Sequence, residues 1–559
     1  MVVAGHYLAA HAGFQILESG GNAIDAGCAA GIALGVLQSD LVNVAGVAPI
    51  ILFHAETQKV ITISGLGTWP KTIRPDLFSS SYEGHIPENV LRTVVPAAPD
   101  AWITALEHFG TMTFSEVAQA AIKFASEGFV MYPLMSKLIQ DNAENFRRWK
   151  SNEEIYLPNG IAPKPGEIFF QKDLGKTLQY MADEEKATTG GRIEGLCAAR
   201  NAFYQGDIAH QIVKHQKENG GFLTLEDFSE FKVDIEDPVE INFQGTTVYT
   251  CGPWCQGPVL LQCLRLLDGF DLRNMKQDSP AYIHTLTEAI KLSFADRHFY
   301  YGDPNFVDVP IETLISEKYN DIRRGLIRSG EAWPRMPPAG DPFRLRPTGP
   351  SLEDTGALQS KPAASLDTSY VCVTDSAGNI FSSTPSDVAK DSPIVPGTGL
   401  CPSSRGSQSW SDPGHPSAVQ PKKRPRLTPN PALAIRKDEY AIPFGTPGGD
   451  VQVQAMLQCF LNVALWDMNP QQAVEKPRFG SYSFPDSFEP HKYHPGKLMM
   501  EPRFNSGQLE TLQALGHQAE YWPDWSWQAG AVCMIKSDFK SGVHTGGADP
   551  RRPAYAVGW

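Results

Sequence analysis

A chain of 559 residues with 42% hydrophobic and 20% charged side chains can bury a large core, which excludes the disordered and fibrous classes. Its formal charge of −14 excludes the concentrated basic face that a phosphate backbone requires, so a small-molecule partner is expected and a nucleic acid is not. Nine cysteines, an odd number scattered along a long chain, read as reduced thiols rather than a disulfide framework. Cys251 and Cys255 lie four apart with no histidine or second cysteine pair nearby, so no metal and no cofactor are expected.

The segment "YLAAHAGFQILESGG" predicts a helix stopped by glycine. The apolar run Ala26–Leu37 that follows is too short for a membrane span, which needs about 20 residues, and predicts a buried helix. The opening "MVVAGHYLAAHAGF" has no charged region leading into an apolar one, so no secretory signal and a cytoplasmic location are expected. "APIILFHAETQKVITISG" predicts a hairpin turning near Glu56–Lys59. Residues 131–240 are helical and charged, with Thr224 and Asp227 at capping-box spacing. After the strand "TTVYTC", a helix is predicted in "YIHTLTEAIKLSFADRHFYYGDP", ended by Gly302 and Pro304. His284, Asp296 and His298 share that helix, and a structural role is expected for them rather than acid–base catalysis.

Prolines 334, 337, 338, 342, 347, 350 and 362 forbid a continuous helix or central strand, so residues 331–367 are expected to form an exposed linker. The irregular stretch 385–430 is longer than ordinary loops, and such loops are functional or disordered. Its basic cluster "KKRPR" (422–426) reads as solvated or ion-paired.

Directly after the linker, "TSYVCVTD" and "NIFSSTPS" flank the turn run "DSAGN", which predicts an antiparallel hairpin. If Thr374 faces Ile380, Thr368 lies opposite Ser386 and two hydroxyls converge. A hydroxyl becomes a nucleophile when a base takes its proton, and a residue's own α-amine can be that base. Near neutral pH a free α-amine, with a reference pKa of about 7.7–8.0, is partly unprotonated. An internal threonine has none, so this chemistry requires a cut between Asp367 and Thr368. Acyl transfer also needs donors for an oxyanion. "YAIPFGTPGGDVQVQAMLQCFLNVALW" predicts a strand, a glycine turn and a helix from about Asp450, placing the N–H groups of Gly448 and Gly449 at a helix N-terminus.

On these residues the chain resembles the γ-glutamyltranspeptidases and their acylase-like relatives, which are N-terminal-nucleophile hydrolases. The resemblance extends through "GGNAIDA" (20–26), "GGFLTLEDF" (220–228), "CQGPVLLQCLRLL" (255–267), "EAIKLSFADRHFYYGDP" (288–304), "DTSYVCVTDSAGN" (367–379), "VPGTGL" (395–400), "KRPRLTPNPAL" (423–433), "GTPGGD" (445–450) and the closing "GGADPRRPAYAVGW". It implies an α+β fold, a four-layer αββα sandwich built by two fragments of one precursor. These are a large subunit, 1–367, and a small subunit, 368–559, forming one structural unit, with a homodimer of the processed pair as one allowed assembly. It further implies Thr368 as nucleophile, Ser386 as the hydroxyl contacting the new amino terminus, and Gly448 and Gly449 as the oxyanion hole.

The departures from the family pattern fall where a glutamyl group would bind. Leu66, in "LGTWP", stands where an arginine holds the α-carboxylate. "SSRGSQSW" (403–410) replaces the acidic and amide loop that holds the α-amine, leaving Ser403, Ser404 and Arg405. Leu427–Thr428 replaces a hydroxyl pair, "NVAGVAP" (43–49) replaces a glycine-rich entry loop, and Tyr370 stands where many transpeptidases carry histidine. Leu66, Tyr370, Thr384, Arg405 and Thr428 are the expected substrate-binding residues, with Trp69 and Trp410 as further pocket candidates. A charged head group without ionic partners would be costly to enclose. The expected activity is therefore self-processing amide hydrolysis, with Arg405 available to an acyl carboxylate or oxo group. Two alternatives remain open at this point: a genuine γ-glutamyltransferase or glutathione hydrolase, and a processed but inactive binding or structural relative.

Overall fold

The computed structural model describes residues 1–352 and 368–559. Asp367, the upstream side of the expected junction, lies outside the described residues. Two antiparallel sheets face each other. The first runs in the order Tyr555–Val557, Val2–Ala4, Val371–Thr374, Ile380–Ser383, Ile50–His54, Lys59–Ile63, Ile235–Glu236. The second runs His544–Ala548, Cys533–Asp538, Tyr440–Gly445, Ala432–Arg436, Thr246–Thr250, Val239–Phe243.

Alternation along the strand Val371–Thr374 explains the layering. Val371 and Val373 join the core beneath the helices, whereas Tyr370 and Cys372 pack with Val3, Cys533 and Ile535 between the sheets. Successive side chains of a strand point to opposite faces, so a central strand covered on both sides is buried at every position, as Val371–Thr374 is. Helix Ala23–Leu37 is buried along its whole length and lies against the first sheet, with Asn22 and Asp25 completing a capping box at its start. Helices Gly257–Leu267, Pro280–Tyr300 and Gln452–Trp466 form the core that covers the second sheet. The result is the four-layer αββα sandwich. Both sheets mix strands from before and after residue 368.

The hairpin Ile50–His54/Lys59–Ile63 and the Thr224–Asp227 capping box form as expected. Among the described residues no helix is long and apolar enough to cross a membrane, and all nine cysteines are free thiols.

The proline-rich segment is corrected over residues 331–342; residues 343–352 are mostly exposed, and residues 353–367 lie outside the described residues. Ala332, Met336 and Ala339 are buried in the second core, so residues 331–342 are not an exposed linker. Arg323 donates to the carbonyls of Pro338 at 2.9 Å and Pro347 at 2.6 Å, and Asp296 accepts from the Gly340 N–H at 2.8 Å. Proline removes a donor but keeps its carbonyl, and buried guanidinium and carboxylate groups supply the partners that a regular element would have given. The irregular stretch 385–430 is ordered and mostly buried. Within "KKRPR", Lys422 pairs with Glu230, and Arg424 pairs with Asp303, Asp234 and Glu236. Lys422 is exposed and Lys423, Arg424 and Arg426 are buried, so the cluster is ion-paired at Lys422 and Arg424 and solvated at Lys422.

Candidate active site

The hairpin takes the expected register: Thr374 opposes Ile380 and Val371 opposes Ser383. Continuing that pairing past the strand ends brings Thr368 Oγ1 to 2.6 Å from Ser386 Oγ. Ser386 is fixed from the other side, because its N–H donates to Val47 O at 2.9 Å. Thr368 itself has its N–H on Leu41 O at 2.9 Å and its carbonyl accepting from Arg552 Nη1 at 3.1 Å. Its φ is +84°, a conformation that a β-branched residue adopts only under constraint.

Arg405 Nη2 donates to Ser386 Oγ, and its Nε lies 3.6 Å from Asp387 Oδ2. Asp387 in turn accepts from Ser403 Oγ at 2.6 Å, Ser404 Oγ at 2.8 Å and Ser404 N–H at 3.1 Å. Burial pushes the Asp387 carboxyl above its usual range, opposed by Arg405 and by the hydrogen bonds from Ser403 and Ser404. The stretch 403–405 thus uses two hydroxyls to hold a carboxylate, and that carboxylate steadies the guanidinium behind Ser386.

The strand Tyr440–Gly445 ends in a turn where Gly448 has φ +127° and Gly449 φ +55°. A short 3₁₀ turn, Gly449–Val451, then leads into the helix Gln452–Trp466. Gln256 Nε2 donates to Gly449 O and to Thr428 O, both at 2.9 Å. Arg297 pairs with Asp450 and donates to Gln256 Oε1 at 3.0 Å. The helix carrying His284, Asp296 and His298 therefore props the glycine turn through Arg297, the structural part expected of it.

The remaining expected pocket residues separate into groups. Thr428 Oγ1 accepts from Gln408 Nε2 at 2.8 Å, which ties the 403–410 stretch to the Gln256 bridge. Leu66 packs with Val47, Cys251, Trp254, Cys255 and Leu427 in a small apolar cluster. Thr384 is buried, its N–H on Pro49 O at 3.2 Å. Tyr370 lies between the sheets, its hydroxyl 2.6 Å from Ser382 Oγ and its ring so close to Gly445 that a Cβ there would fall 2.2 Å from Cε2. Trp69 Nε1 donates to Ser409 Oγ at 2.9 Å, and Trp410 is stacked between His415 and His491 at 3.9 and 3.8 Å.

Sequence reasoning missed Asp387, Arg552, Leu41 and Gln256. Only adjacency to Ser386 marked Asp387, and only the closing "DPRRP" marked Arg552. Among the described residues, His284, Glu288 and His517 could hold a metal ion by their spacing. Their ligand atoms are engaged otherwise: Lys291 Nζ lies 2.6 Å from Glu288, His284 Nδ1 is 2.8 Å from His517 Nε2, and His284 Nε2 is 2.7 Å from Arg328 O.

The model of one protein family, gamma-glutamyltranspeptidase, matches residues 9–559. The chain belongs to this family. Within it, the chain is 30% identical to the "Glutathione hydrolase-like YwrD proenzyme" of Bacillus subtilis (strain 168), over 100% of this chain and 98% of that protein. It is also 30% identical to the "Acylase ACY 1 proenzyme" of Pseudomonas sp. (strain V22), over 93% and 87%. The cephalosporin acylase from Bacillus halodurans superposes with a TM-score of 0.86 at 27% identity, covering 100% of this chain and 95% of that one. The family relatives so named are hydrolases and acylases, several of them proenzymes.

Proposed function

We propose that the chain is a precursor cut between Asp367 and Thr368, and that the mature protein hydrolyses an amide whose acyl group is not γ-glutamyl. The observation that carries this reading is the 2.6 Å contact between Thr368 Oγ1 and Ser386 Oγ with Arg405 behind it, joined through the Val47 carbonyl that accepts from the Ser386 N–H to an apolar cluster of Val47, Leu66 and Leu427, which carries no charge for an amino-acid head group. The strained φ of Thr368 fits the cut as well. φ is the rotation that the preceding carbonyl defines, so scission removes the constraint, which costs about 1–3 kcal/mol at such a position.

In the proposed cycle the free α-amine of Thr368 takes the Oγ1 proton, and Oγ1 attacks the amide carbonyl. The N–H groups of Gly448 and Gly449 receive the oxyanion. The amine's proton passes to the leaving nitrogen as the C–N bond breaks, leaving an ester on Oγ1. Water, deprotonated by the same amine, then releases the acid and restores the hydroxyl.

A second reading, a γ-glutamyltransferase or glutathione hydrolase, is favoured by the likeness to proteins of the latter name and by the Arg405 fork, which suits a carboxylate. Both are tested by assaying the processed protein against acetyl-, glutaryl-, phenylacetyl- and γ-glutamyl-p-nitroanilide, with Thr368→Ala as the control. Glutaryl is glutamyl without its α-amine, so it isolates the missing amine clamp. Preference for the acyl anilides over the γ-glutamyl one by tenfold or more supports amide hydrolysis, and the reverse preference replaces it with the second reading. Turnover unaffected by Thr368→Ala removes both.

A further inference from the structure

The turn that follows helix Ala23–Leu37 carries a carboxylate that the cycle above does not use. Leu41 and Val42 N–H both donate to Gln38 O at 2.8 Å, and this tight turn presents the Leu41 carbonyl to two main-chain groups, the N–H of Thr368 at 2.9 Å and that of Asp387 at 3.2 Å. Asp40, one residue earlier, is 5% exposed. No other residue donates a hydrogen bond to its carboxylate oxygens; only its own backbone N–H acts on them. Arg552 is the foremost charge acting on it, and the same guanidinium donates to Thr368 O. Arg552 thus acts electrostatically on the Asp40 carboxylate and binds the Thr368 carbonyl.

A buried carboxylate that no other residue's donor satisfies is an unfavourable arrangement, and a cation gained beside it in another state of the protein would relieve it. We propose that Asp40 is a positioning residue of the active site, the countercharge that holds the α-amine freed at Thr368. This rests on the processing reading above. In the intact chain the Thr368 nitrogen has one hydrogen, and Leu41 O accepts it. Scission gives that nitrogen two more hydrogens in its ammonium form and a positive charge. Asp387 is committed to Ser403, Ser404 and Arg405, which leaves Asp40 as the uncommitted anion on this turn.

The groups facing the pair set the sign. Arg552 and Lys390 act on Asp40 as cations, and Tyr132 and Tyr156 are neutral phenols beside it, both raised by burial. Arg405 and Asp387 lie on the Ser386 side of Thr368. Burial pushes the Asp40 carboxyl up to about 7 in the intact chain, and an ammonium beside it favours the ionised form. The guanidiniums of Arg552 and Arg405 would lower the amine's pKa and make it a weak base; an ionised Asp40 raises it again.

The test is the pH dependence of kcat/KM for wild type, Asp40→Asn and Asp40→Glu, each as processed protein, on the anilide it turns over fastest. The expected result is an acidic limb moved to lower pH in Asp40→Asn, by about half a unit or more, and largely restored in Asp40→Glu. An Asp40→Asn limb coincident with wild type overturns the proposal. Should Asp40→Asn not accumulate as folded, processed protein, wild type is read directly by the rate at which acetic anhydride acylates the Thr368 amine, followed by peptide mass spectrometry. A midpoint at or above about 8 supports the countercharge, and a lower midpoint overturns it. Hydrolysis persisting in Thr368→Ala would instead sink the underlying reading, so the two failures are distinguishable.

Discussion

At the scale of single residues, the site couples hydroxyl to hydroxyl to guanidinium to carboxylate, Thr368–Ser386–Arg405–Asp387. Ser386→Ala removes the hydroxyl partner of Thr368, the proposed nucleophile, without opening the fold. The expected outcome is a loss of about 10²-fold in kcat, the usual effect of deleting one polar group that serves a transition state, with slower cleavage of the precursor; steady-state kinetics and a processing time course read both. Gly448→Ala is a different kind of change. A Cβ there would meet its nearest atom, Gly530 Cα, at 3.6 Å, an ordinary contact, so the cost is conformational at φ +127°. The turn should relax by rotating its N–H groups, lowering kcat far more than it raises KM. Unchanged kcat in the Gly448→Ala variant would remove this turn from the oxyanion's surroundings.

At the scale of elements, small residues set how closely the outer helices approach the sheets. Gly27 is the sharpest case, since a Cβ at that position would lie 2.1 Å from Phe381 Cδ1 on the strand Ile380–Ser383. Gly27→Ala is expected to destabilise the protein by about 1–3 kcal/mol through overpacking, seen as a lower thermal midpoint. The same element scale explains what the sequence made legible. The hairpin register followed from a local turn, "DSAGN", and from period-two alternation, both contained within a short window, and it led directly to Ser386. The packed proline-rich segment did not, because the groups that satisfy its carbonyls, Arg323 and Asp296, sit on helices elsewhere in the chain. Leu41 and Arg552 were invisible for the same reason: they reach Thr368 from more than 180 residues away, by tertiary packing that no local pattern encodes. Tyr370, marked by its position two residues after Thr368, is a case where the strand placed the side chain in the layer between the sheets.

At the scale of the whole molecule, the two sides of Thr368 are interleaved. Val371–Thr374 pairs with Val2–Ala4 on one side, and Ile380–Ser383 pairs with Ile50–His54, while Ala432–Arg436 pairs with Thr246–Thr250 in the second sheet. Separating the fragments would expose sheet edges and both apolar layers, so cleaved protein is expected to run as one species in native size-exclusion chromatography and as two bands in a denaturing gel. Fragments that elute apart under native conditions would contradict this architecture. In the proposed cycle a free amine at Thr368 is made by scission and then serves the chemistry. The most direct measurement is amino-terminal sequencing of the smaller band from active wild-type protein, with Thr368→Ala alongside. The account predicts a start at Thr-Ser-Tyr-Val-Cys and an uncut, inactive Thr368→Ala chain; an intact full-length wild-type chain that hydrolyses the anilide would contradict it.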